Sequence, residues 1–157
     1  MKPFVPLLLL ASLGLAGCGS AQTQSLSQPL AKSSAPSASH ARYTLTANDQ
    51  SFSIRWEKNP SAAALLEDLP SSLTLRELNG NEKFIRLGRS LPTDSAAIRM
   101  IRTGDIMLFE DNCLVIFYED FKTDYRYTRL GRIENPSGLA AALGTGDVTV
   151  QISQEPL

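Results

Sequence analysis

Residues 113–118, Cys-Leu-Val-Ile-Phe-Tyr, are apolar at every position. Successive side chains of a strand point to opposite faces, so an unbroken apolar run needs cover on both of them. Just before it, Gly104-Asp105 leads into Ile106-Met107-Leu108-Phe109, and Glu110-Asp111-Asn112 separates the two runs. This pattern predicts a β-hairpin, with Asn112 in the left-handed turn position. A fold built around this hairpin has to wrap further elements over both of its sides.

The rest of the chain from Arg42 onward supplies them. Tyr43 to Ala47 and Phe52 to Trp56 read as strands around Asn48-Asp49-Gln50, with Phe52, Ile54 and Trp56 on one face. Asn59-Pro60 opens a helix as N-cap and first residue. Ala62, Leu65, Leu66 and Leu69 form its apolar face, and Pro70 stops it. Leu73 to Leu78 alternates as a strand before the turn Asn79-Gly80-Asn81, and Phe84 to Leu87 is a short strand. Arg89 to Ala97 reads as a surface loop, and Ile98, Met100 and Ile101 as a strand or packed segment. Tyr125 to Ile133 is another strand. Asn135-Pro136 repeats the cap pattern for a helix over Ser137 to Leu143, with Gly144 as its C-cap. Val148, Val150 and Ile152 alternate as the last strand. Seven or eight short strands and two short helices predict a mainly β fold. Closure into a barrel, with the helices plugging its ends, leaves no apolar face or edge exposed.

The order of these segments resembles the bacterial cyclophilin-like domain family. The resemblance rests on Leu69-Pro70, Leu78-Asn79-Gly80-Asn81-Glu82-Lys83, Gly104-Asp105-Ile106-Met107-Leu108 and Ile116-Phe117-Tyr118. It continues through Tyr127-Thr128-Arg129-Leu130-Gly131-Arg132-Ile133 and Gly144-Thr145-Gly146-Asp147-Val148-Thr149-Val150, spanning nearly all of 42–153. It implies a closed, mainly antiparallel eight-stranded barrel with a helix at each end. Cyclophilins isomerise the bond before proline, using an Arg that hydrogen-bonds the prolyl amide beside an apolar pocket. The counterpart of their Phe-His-Arg here is Phe84-Ile85-Arg86, with Ile85 in place of His, and Leu87-Gly88-Arg89-Ser90-Leu91 lacks the Phe and paired glycines that follow. The resemblance therefore implies a domain that binds without catalysis, with a weak isomerase using Arg86 as the alternative. Phe117 and Tyr118 are candidates for the pocket wall. Tyr125 and Tyr127, two apart and on one strand face with Arg129, are candidates for lining a cleft that takes a peptide segment or small ligand.

The N-terminus reads as an address. Lys2 precedes 13 residues, Phe4 to Ala16, that are apolar or small apart from Pro6 and Ser12. A spanning helix needs about 20 residues, so this fits a signal peptide over 1–17. Leu15-Ala16-Gly17-Cys18 resembles the lipobox of bacterial lipoproteins. It implies that Cys18 is thioether-linked to diacylglycerol, begins the mature chain and carries an N-acyl chain such as palmitate. Gly19, where an Asp commonly signals inner-membrane retention in Gram-negative lipoproteins, favours the outer membrane facing the periplasm if the source is Gram-negative. In 18–41, after the Cys, Ser, Ala, Gln and Pro make up 17 of the 23 residues. Such a segment cannot offset its ordering entropy and reads as a disordered tether before the 42–157 domain.

Composition narrows the chemistry. With 15 Lys and Arg against 16 Asp and Glu there is no basic excess for nucleic acid. Lys2 and Lys32 precede the folded part, which holds 13 basic and 16 acidic residues, a net charge of −3. The one histidine, His40, falls in the tether, so imidazole chemistry has no place in the domain. Cys113 has no partner thiol once Cys18 is lipidated and reads as a buried, inert side chain. Arg126, Arg129 and Arg132 suggest an anion site by number, yet their spacing alternates faces on a strand, and Asp120, Asp124 and Glu134 are near enough in sequence to neutralise them. Glu67-Asp68, Glu110-Asp111 and Glu119-Asp120 match no metal-binding spacing, so neither a metal nor a cofactor is expected. Trp56 reads as core.

Overall fold

The computed structural model describes residues 41–156. The signal segment, Cys18, His40 and residues 19–40 of the tether lie outside the described residues. Nine strands and two helices follow in the order β1 (Tyr43–Ala47), β2 (Gln50–Trp56), α1 (Pro60–Glu67), β3 (Ser72–Leu78), β4 (Glu82–Arg86), β5 (Ala96–Ile101), β6 (Asp105–Phe109), β7 (Cys113–Phe117), β8 (Phe121–Ile133), α2 (Leu139–Leu143) and β9 (Val148–Gln154). Eight strands run β2-β1-β9-β3-β4-β7-β6-β8, and β2 pairs with β8 to close the ring. Every pairing is antiparallel. The ninth, β5, pairs with the N-terminal half of β8.

Two apolar clusters account for the unbroken run in β7. Inward-pointing Leu114 and Ile116 join Ile106, Leu108, Leu45, Leu75 and Val150 in the barrel core. Outward-pointing Cys113, Val115 and Phe117 join Met107, Ile101 and Tyr127 in a second cluster, flanked by Phe84, Ile98, Phe109 and Phe121. Ribbon β5–β8 thus covers the outer face of β6–β7. β8 serves both clusters because it is bulged. Ile106 lies opposite Gly131 and Met107 opposite Arg129, which leaves Leu130 as the extra residue. The bulge shifts the alternation, so Leu130 and Ile133, three apart, both enter the barrel core.

Helix α1 begins as its sequence predicts. Asn59 Oδ1 accepts from the Ala62 N–H at 2.8 Å and Pro60 takes the first position. Asn59 Nδ2 also donates to the Arg129 carbonyl at 2.8 Å, tying the helix to β8. Ala62 and Leu65 enter the barrel core from α1, and Leu139, Ala142 and Leu143 enter it from α2.

Three local expectations need correction. The left-handed residue of the β6–β7 turn is Glu110, with φ 54°, rather than Asn112. Asn112 instead holds Arg86 through its side chain and gives its carbonyl to the Leu87 N–H at 2.7 Å. Asn135 does not cap α2. Gly138, at φ 84°, interrupts helical geometry after Ser137, so the helix starts only at Leu139. Finally, β8 starts at Phe121 rather than Tyr125, because pairing with β5 extends it.

Candidate functional site

Strand alternation sends one set of side chains from β3, β4, β7 and β6 to the outside of the barrel, and the pairing registers align them in rows. One row runs Arg76, Phe84, Val115, Met107, and the next runs Arg86, Cys113, Phe109. The N-terminal half of β8 lies against this surface. The Tyr127 ring centroid is 5.5 Å from those of both Phe109 and Phe117, and Phe121 is 5.6 Å from Phe117. Between the β3–β4 side and the β8 side runs a groove of about 680 Å³. Phe84, Cys113, Val115, Phe109 and Tyr127 form its floor; Arg76, Leu78, Glu82, Arg86 and Tyr125 stand at its rim.

Among the described residues, Leu78 and Tyr125 are the two large apolar side chains most open to solvent, at 40% and 65% exposure. Tyr125 rests edge-on against Phe109, with centroids 5.8 Å apart. Two smaller hollows adjoin the groove and share Tyr125 with it. One, of about 500 Å³, reaches Lys122 and Asp124. The other, of about 590 Å³, reaches Thr93, Ser95 and Arg126.

Charge in the groove is set by what each group touches. Arg86 Nη1 donates to Glu110 Oε2 at 3.1 Å and to Asn112 Oδ1 at 3.0 Å. Arg76 stacks over Phe84, with its guanidinium carbon 5.7 Å from the ring centroid. Burial, with help from Glu77, raises the Glu82 carboxyl above its ordinary 4.5. Burial also pushes the Cys113 thiol above 9.0, against the opposing pull of Arg86, so the thiol stays protonated and unreactive at neutral pH. Burial and the nearby Glu82 push the Tyr127 phenol up to about 12. The site therefore offers apolar area, two guanidinium groups and one carboxyl of raised proton affinity, and among the described residues it pairs no nucleophile with a base. Among the described residues, no three His, Cys, Asp or Glu side chains converge to hold a metal ion.

Of the residues singled out from sequence, the structure gathers Arg86, Tyr125 and Tyr127 on this groove. Phe117 lies fully buried beneath it and lines nothing. Tyr118 points the other way, into the barrel core, where its hydroxyl donates to Glu77 at 2.9 Å. Arg129 is held elsewhere, 3.7 Å from the buried Asp105. The acidic neighbours assigned to the arginine series serve other partners: Asp120 binds Arg102, and Glu134 faces Arg55. Arg76, Leu78, Glu82 and Val115 complete the groove without having been singled out. The alternation Leu73-Thr74-Leu75-Arg76 places Arg76 outward from sequence alone; that it faces a groove depends on where β8 lies.

The family model described as the cyclophilin-like family matches residues 45–153. No curated protein matches the chain.

Proposed function

The chain belongs to the cyclophilin-like family, and on that premise we propose that it is a lipid-anchored protein of the cell envelope whose barrel binds a peptide segment without catalysing a reaction. Anchoring would come from acylated Cys18, with the tether carrying the domain clear of the bilayer. The observation that carries the binding reading is the groove itself. It has an apolar floor of Phe84, Val115 and Tyr127, and Tyr125 stands 65% exposed at its edge. A large aromatic side chain left this open is a natural contact residue, since Tyr supplies area at little conformational cost.

Selection of peptides from a random display library on the full chain tests it. Tyr125→Ala should weaken the selected peptides roughly tenfold while leaving the fold intact. Failure to enrich any peptide over an unrelated control protein refutes the reading.

A second reading, weak peptidyl-prolyl isomerisation, is favoured by one observation: Arg86 lines the same groove. Against it, Arg86 Nη1 is already shared between Glu110 and Asn112, which leaves a prolyl amide only the other N–H groups and a guanidinium tied to the side of the groove. A proline-peptide isomerisation assay on the full chain separates the two. No acceleration is expected; catalysis that Arg86→Ala abolishes would establish the isomerase instead.

A further inference from the structure

Arg76 and Arg86 are the two cations lining the groove. Arg86 is neutralised by Glu110, whereas Arg76 has no carboxylate in ion-pairing range among the described residues. Arg76 is also positioned. It lies directly opposite Phe84 in the β3–β4 register, and its guanidinium carbon stands 5.7 Å from the Phe84 ring centroid. A stacked guanidinium keeps its edge N–H groups free in a planar fork that fits a carboxylate. Directly alongside are the apolar side chains of Phe84, Val115 and Tyr127. The domain's net charge of −3 gives no general attraction for anions, so any preference for acid has to arise locally at Arg76. Glu82, the one carboxyl lining the groove, stands away from Arg76: it lies opposite Leu78 in the register, two residues along both strands from the Arg76–Phe84 pair. The hollows that meet at Tyr125 prolong the surface on both sides, which suits an extended segment better than a compact ligand.

We propose that the groove takes an acidic peptide: an extended segment whose Asp or Glu carboxylate seats on Arg76 while a neighbouring apolar side chain packs on Phe84, Val115 and Tyr127. This rests on the binding reading above and specifies its ligand.

The test uses peptides selected on the full chain from a random display library. Selected sequences should carry Asp or Glu next to an aromatic or aliphatic residue. Remaking the tightest peptide with that acid as its amide should lower affinity roughly tenfold, the ordinary effect of losing a charge-assisted hydrogen bond. Arg76→Gln should lower it by the same factor and make the acid-to-amide change silent. Enrichment of neutral or basic peptides overturns the proposal, as does an acidic peptide whose affinity survives both changes. Arg76 is exposed, so its variant should keep the wild-type urea midpoint. If it does not, the acid-to-amide change on the peptide decides the matter alone. A selection that enriches no peptide refutes the binding reading itself, which is a different outcome from binding without a preference for acid.

Discussion

The fully buried Lys83 makes a prediction whose sign runs against simple contact counting. Its ammonium donates to Glu77 Oε2 at 2.5 Å, to the Gly144 carbonyl at 2.8 Å and to the Gly146 carbonyl at 2.5 Å. It also lies 5.3 Å from the Tyr118 ring centroid. Glu77 in turn accepts from Tyr118 and from the Gly80 N–H. The two partners differ in exposure: the Lys83 side chain is 0% exposed and that of Glu77 is 21% exposed. Removing one partner of a buried pair costs about 3–5 kcal/mol because the other charge stays behind unpaired. Glu77→Gln strands an ammonium that water cannot reach, though two carbonyls and a neutral acceptor remain, so the lower end, about 3 kcal/mol, applies. Lys83→Met keeps the volume and strands a carboxylate that still touches water and keeps two donors, but it also takes the donor from the Gly144 and Gly146 carbonyls, so about 2 kcal/mol is expected. The order of the two losses, with a gap of about 1 kcal/mol, is the prediction. Combining the substitutions should recover the part of the Glu77→Gln loss that comes from the stranded ammonium, a coupling that a double-mutant cycle reads directly. Urea denaturation with unchanged m-values measures all three variants. If Lys83→Met is the more damaging, or if both fall within about 0.5 kcal/mol of wild type, the buried-charge reasoning is wrong.

Three further predictions concern other parts of the molecule. A Cβ on Gly131 would lie 2.7 Å from the Arg55 carbonyl oxygen and 3.0 Å from Trp56 Cε3, so Gly131→Ala should destabilise the domain by about 1–3 kcal/mol in a urea titration, and a neutral result would mean that β2 and β8 are not this close. Hydrogen bonds from the Thr103 backbone, Arg102 and the Thr103 hydroxyl push the Asp120 carboxyl from 3.8 down to about 2. A lowered folded-state value stabilises above 3.8 and loses that contribution as pH falls towards 2. Asp120→Asn should therefore lower stability at neutral pH and flatten the acid limb of the stability–pH curve over that window, and an unchanged limb contradicts this. Lastly, Cys18→Ser should release the protein from the membrane fraction and abolish lipid labelling; a variant that stays membrane-bound refutes the anchor.

Where local grammar and tertiary demand agree, the fold is readable from the sequence. Asn59-Pro60 caps α1 as such a pair should, and the alternation of Phe52 with Ile54 and of Val148 with Val150 and Ile152 matches their burial. The apolar run in β7 correctly demanded cover on both faces. What supplies the outer cover, the β5–β8 ribbon, was not legible, because β5 contributes only Ile98 and Ile101 to it amid exposed neighbours. The bulge at Leu130 defeats the face assignment along β8: it depends on pairing with β6, and Gly131 beside it is an ambiguous signal that equally fits the close approach of β2. The same limit governs the site. Phe117 and Tyr118 were candidates by chemistry, yet one is sealed beneath Phe121 and Tyr127 and the other turns inward to Glu77. The burial of Lys83 is not legible in the sequence, because a lysine in a strand reads as surface; only the convergence of Glu77 with the carbonyls after α2 explains it.

The most direct test of the central claim is to locate where a selected peptide binds. Backbone amide resonances of the isotope-labelled protein, followed as peptide is added, report this residue by residue. Binding at the groove should shift Arg76, Phe84, Val115, Tyr125 and Tyr127, which line it, and leave β1 and β2 on the other side of the ring unmoved. Shifts centred on β1 and β2, with the groove residues silent, would contradict the account.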